Sequence, residues 1–101
     1  MTENTASLMA ELGKAEALAR QAGFDDWVQF LSQHNERLRR GDHSGLRPLW
    51  VAFAPTCDWD DLAIRQMPPA ISEQLVGIGQ SVFEAVERVE VELGLRAEVS
   101  R

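Results

Sequence analysis

Residues 70–94 read AISEQLVGIGQSVFEAVERVEVELG, and how this stretch is taken decides the fold. The valines between Val82 and Val91 favour a strand by intrinsic preference. Their spacing does not. Ile71, Leu75, Ile78, Val82, Ala85, Val89 and Leu93 recur every three or four residues, as one face of a helix does, and Val76, Phe83 and Val86 broaden that face. Glutamates fill the positions between, and Gly94 supplies a stop. The spacing predicts one long amphipathic helix and, with it, an all-α protein.

The same period recurs upstream. Over about 5–22, Leu8, Leu12, Ala15, Ala19 and Ala22 share a face, with Met9 and Leu18 beside it and Gly23 as terminator. Gly13, inside this helix, either weakens it or lets another helix approach closely. A second helix is expected over about 26–40, with Asp25 as N-cap and Phe24 as a staple. Trp27, Leu31, His34 and Leu38 form its inner face, widened by Val28 and Phe30; Arg37, Arg39 and Arg40 suit its last turn before Gly41. Leu46, Leu49, Trp50 and Phe53 then mark a short helix over about 45–53, with Pro48 in its first turn and Pro55 closing it. A further turn over 59–65, capped by Asp58, ends at Pro68 and Pro69. Glu16–Arg20, Glu36–Arg40, Glu84–Arg88 and Glu92–Arg96 stand at i, i+4 in the favourable order. Each is worth only about 0.3 kcal/mol, but together they mark wet helical faces. The expected architecture is a small α-bundle of three main helices plus one or two short ones.

With 101 residues, 45% hydrophobic and 26% charged, the chain has the size and composition of a single helical domain, 1–101, with 1–4 and 96–101 as flexible tails. Sixteen acids against ten bases give a net charge of -6. That balance disfavours nucleic acid as a partner and favours a basic protein. One cysteine, Cys57, cannot form a disulfide within the chain. The start, MTENTASLMAELGK, lacks the basic and apolar regions of a signal peptide, and the longest apolar run, Leu49 to Pro55, is too short to span a membrane. A cytoplasmic protein is the expectation.

One segment breaks the helical pattern. Residues 47–62, RPLWVAFAPTCDWDDL, hold Trp50, Trp59, Cys57 and the acids Asp58, Asp60 and Asp61. An Asp-x-Asp pair can hold Mg²⁺ or act in phosphoryl transfer, but those sites sit on a parallel sheet that this chain cannot supply. A calcium loop starting at Asp58 fails, with Ala63 where glycine is needed and Pro69 where glutamate is needed. His34 and His43 have no ligand-spaced partner for zinc. Cys57 beside Asp58 is a poor nucleophile. No cofactor is expected. Trp27 and Trp50 fit a core, whereas Trp59, between acids, is expected at the surface, where a ring among carboxylates suits a partner's Arg or Lys. The candidate partner-binding residues are Asp58, Trp59, Asp60 and Asp61, with Asp25 and Asp26 as a second patch; the ordinary alternative is helix capping by the same acids.

Residues 36–62, ERLRRGDHSGLRPLWVAFAPTCDWDDL, resemble a segment of small acidic all-helical bacterial proteins encoded beside polymorphic-toxin genes. The matching residues are Arg37, Gly41, Asp42, Ser44, Gly45, Leu46, Phe53, Asp61 and Leu62. These proteins are similar to immunity proteins in size and charge, so the resemblance implies toxin neutralisation without enzymatic activity. Arg37 and His43 also show the Arg-x5-His spacing of the helical HEPN ribonucleases, where such a pair handles RNA phosphate and proton transfer. The leading expectation is therefore a non-enzymatic, immunity- or antitoxin-like protein with an acidic surface for a basic toxin or effector. A homo-oligomeric bundle joined through the last helix comes second, and a HEPN-like ribonuclease third.

Overall fold

Five helices follow one another in the described residues: α1 (Glu3–Ala22), α2 (Asp25–Arg39), α3 (Leu46–Phe53), α4 (Asp58–Ile64) and α5 (Pro69–Glu92). The structure is a computed structural model that describes residues 2–55, 57–65 and 69–96. No strand occurs among them, and the protein is a small all-α bundle. The three long helices and two short ones are those the spacing predicts.

Local chemistry sets the helix ends, in places one residue from expectation. Thr2 caps α1, its Oγ1 accepting from the Thr5 N–H at 3.2 Å. Residues 2–4, expected as tail, are thus the cap and first turn. Gly23 takes φ 80°, which only glycine adopts freely, and the Phe24 N–H returns to the Ala19 carbonyl at 2.8 Å. That return leaves Phe24 as the cap of α2 and puts Asp25 inside the first turn, where its charge still favours the positive helix end. Cys57 similarly precedes α4, so Asp58 is its first residue rather than its cap. Pro69 opens α5, where its missing N–H costs nothing. Pro68 lies outside the described residues.

The core is built on α5. Leu75, Val82, Ala85, Val86 and Val89 are fully buried against Leu8, Leu12, Ala15 and Ala19 of α1, Leu49 and Phe53 of α3, and Trp59 and Ala63 of α4. α1 also packs on α2 through Leu31 and Leu38, and Asn35 Nδ2 donates to the Met9 carbonyl at 3.4 Å. At the far end, the Thr2 hydroxyl donates to Glu92 at 3.0 Å, so α1 starts where α5 stops and the two run antiparallel. The apolar stripe of α5 is therefore used within the chain, and only its ends, Ile71 and Leu93, are exposed.

Two glycines behave oppositely. Gly13 faces open space, so no helix approaches there. Gly79 is buried, and the indole of Trp59 occupies the space a Cβ would need.

Candidate functional site

Asp58, Trp59, Asp60 and Asp61 are the first four residues of α4. Successive helical residues point about 100° apart, so this run cannot form one patch. Its members go four ways.

Trp59 turns inward, which corrects the expectation of an exposed ring. It is 1% exposed, its Nε1 donates to the Leu75 carbonyl at 2.7 Å, and its ring lies 5.0 Å from both Trp27 and Phe53. The reason is Gly79. Without a Cβ there, α5 offers a flat seat one turn long, and the indole covers it while reaching the carbonyl at its end. Burial of so large a ring outweighs the pull of its acidic neighbours toward water. Trp59 therefore leaves the partner-binding set and joins the core.

Asp61 faces solvent and pairs with Arg65 at 3.1 Å. Asp60 is half-buried and lines a cleft of about 280 Å³ against α5. Asp58 is exposed and lines a groove of about 260 Å³ with Asp26, Trp27, Phe30 and Ala52. Asp25 and Asp26 border an adjoining hollow with Trp27 and Leu62. The two acidic segments, far apart in sequence, thus meet around Trp27. That ring is half-buried rather than core: one edge packs on Trp59, Phe53 and Phe30, and the remainder reaches the groove. The arrangement expected at Trp59, an aromatic between carboxylates, is present at Trp27.

A second cluster has no counterpart in the sequence reading. Glu90 is 2% exposed. Arg96 donates to its Oε1 through Nε at 3.3 Å and Nη2 at 3.2 Å, and Arg47 approaches Oε2 at 3.7 Å. Both guanidinium groups lie over the Trp50 ring, at 4.8 Å for Arg96 and 5.1 Å for Arg47. Arg96, expected to pair with Glu92 or to fray with the tail, is held here because Gly94 takes φ 75° and turns the chain back, with the Leu95 N–H on the Glu90 carbonyl at 2.8 Å. One signal was available: Val82, Val86 and Glu90 lie on one helical line, which places the carboxylate on the apolar face. Trp50, like Trp27, is half-buried rather than core.

His34 is buried against Phe30, ring centroids 4.4 Å apart, and against Gly45. Its Nδ1 makes no hydrogen bond. Burial, and then the charge of Arg37, hold its pKa below the ordinary histidine value. Asp42 accepts from the Ser44 N–H at 2.9 Å, and that bond holds its carboxyl below the usual range. Arg37 is exposed beside a hollow lined by Ser32, Gln33, Glu36 and Arg40; His43 does not line it. Among the described residues no three His, Cys, Asp or Glu side chains are grouped to hold a metal ion, and no helix is long and apolar enough to cross a membrane. Cys57 is a partly buried free thiol.

Compared with known proteins, the chain matches no family model, no curated protein and no solved structure.

Proposed function

We propose that this protein is a non-enzymatic binding protein that covers a basic protein partner, in the manner of an immunity or antitoxin protein. The observation that carries this reading is the convergence of Asp26 and Asp58 on half-buried Trp27. A cationic side chain entering that groove meets two carboxylates and an aromatic ring together, a combination that strengthens both contacts as water leaves. Asp25 extends the acidic rim, and the net charge of -6 steers a basic partner toward the protein. The resemblance of residues 36–62 to immunity-like proteins points the same way.

The test compares tagged wild type with an Asp26→Asn/Asp58→Asn variant in the native cell. Both substitutions are at exposed positions, so the variant should melt close to wild type. Capture of one basic protein by wild type, its loss from the variant, and inhibition of that protein's activity on stoichiometric addition are the expected results. Self-association alone, equal in both proteins, refutes the reading and favours a homo-oligomeric bundle.

A further inference from the structure

His34 stands where α2 meets the turn that leads into α3. Gly45 of that turn lies so close to the imidazole that a Cβ there would fall 2.9 Å from Cε1 and nearer still to Nδ1. Gly45 and Leu46 are buried with it, and the Leu46 and Leu49 N–H groups bond to the carbonyls of His43 and Gly45 at 3.2 and 3.1 Å. The ring is thus the seat on which the start of α3 rests. It also meets Phe30 edge to face at 4.4 Å, and Phe30 meets Trp27 at 5.5 Å. Phe30 and Trp27 line the groove that Ala52 of α3 completes. A short run of rings therefore joins the turn to that groove.

The seat suits a neutral ring. Neutral imidazole can leave Nδ1 as a bare lone pair, but imidazolium carries a proton on both nitrogens. Nδ1 has no partner, and the close approach of Gly45 leaves no space for water to supply one. A buried charge without a partner costs far more than an unpaired neutral group. The charged groups of the surrounding elements do not relieve it. Arg37, on the same helix, acts on the ring and opposes a second positive charge. Glu36 of α2 is engaged by Arg39 and Arg40, and Glu11 of α1 by Lys14. On the turn, Asp42 accepts from Ser44, with His43 beside it, and Arg47 of α3 reaches Glu90.

We propose that His34 is a proton-sensitive latch: neutral, it holds the α2–α3 turn down; protonated, it releases Gly45 and, through Phe30, reshapes the groove beside Trp27. The inference rests on the proposed function only in treating that groove as the partner surface. Its sign follows from the geometry. The closed turn is fully favoured above the ordinary histidine value and loses ground as pH falls below it.

The test is an NMR titration of the full chain from about pH 7.5 to about pH 5. Hydrogen-exchange protection at Leu46 should fall about tenfold as the His34 ring titrates. The Phe30 ring and the Trp27 indole should move at the same midpoint, while the core amides of Val82 and Val86 keep their protection. His34→Gln should abolish this dependence. His43→Gln and Asp26→Asn/Asp58→Asn should preserve it, which separates the latch from the other histidine and from the groove's own acids. Constant protection at Leu46, a loss at Val82 and Val86 in step with it, a midpoint that follows His43, or Phe30 and Trp27 signals that stay still overturns the inference. Wild type alone gives these readings, so they stand even where His34→Gln does not fold. None of them needs the partner; loss of capture in the Asp26/Asp58 variant judges the proposed partner surface separately.

Discussion

Replacing Gly79 by alanine tests the most specific contact in the fold. Alanine normally stabilises a helix interior over glycine by about 1 kcal/mol. At Gly79 the added Cβ would stand 2.7 Å from Trp59 Nε1 and closer still to Cδ1. The indole cannot swing aside freely, because it is 1% exposed and wedged at 5.0 Å between Trp27 and Phe53. Overpacking of this kind costs about 1–3 kcal/mol. Displacing the ring also breaks the 2.7 Å bond from its N–H to Leu75, about 1–3 kcal/mol if the donor stays buried and unpaired. After the helical gain, Gly79→Ala should be destabilised by about 1–5 kcal/mol, a fall in melting temperature of at least about 4 °C for a chain of this size. Gly77, on the same helix with open space around it, is the control: alanine there should raise stability by about 0.5–1 kcal/mol. Urea and thermal unfolding followed by far-UV circular dichroism measure both. A Gly79→Ala protein as stable as Gly77→Ala would refute the account of how Trp59 is held.

Three further outcomes are expected. Because the pKa of His34 is lowered in the fold, its contribution is complete above the ordinary histidine value of 6.5. It is lost as pH falls through that value and past the lowered one. His34→Leu should therefore flatten the stability–pH slope between about pH 7 and 5 in chemical denaturation; an unchanged slope would show that the buried imidazole is not its source. Arg96→Ala should destabilise more than Glu90→Gln, by about 2–4 kcal/mol, since it leaves a buried carboxylate with only Arg47 at 3.7 Å, whereas neutralising Glu90 frees two guanidinium groups that can turn to water. The reverse order in urea titrations would contradict this. Asp61→Asn, which breaks an exposed pair with Arg65, should change stability by less than about 0.5 kcal/mol; a larger loss would mean that Asp61 has a structural role beyond that pair.

The helices were legible because their signal is periodic and local. The spacing from Ile71 to Leu93 was enough to reject strand for a valine-rich run, and the stops at Gly23, Gly41 and Gly94 all coincide with left-handed backbone. The site was legible only in part. Asp58 and Asp60 flank Trp59 in sequence, but on a helix neither says which way the ring between them points. What decides Trp59 is Gly79, on another helix, and local pattern carries no such pairing. The meeting of Asp26 with Asp58 is long-range in the same sense. Glu90 was readable in principle from its line with Val82 and Val86, but its partners depend on where the chain travels after Gly94.

The antiparallel pairing of α1 with α5 also has a bearing on how the chain folds during synthesis. α1 divides its apolar face between α2, made directly after it, and α5, made well after both. At roughly 5–20 residues per second, several seconds pass between the appearance of Leu8 and Leu12 and that of Val82 and Val86. During that interval α1 can pair with α2, while the part of its apolar face that α5 covers has no partner. The α1–α5 pairing therefore closes only once α5 has been delivered, and whatever shields the α1–α2 hairpin until then governs the yield of folded protein.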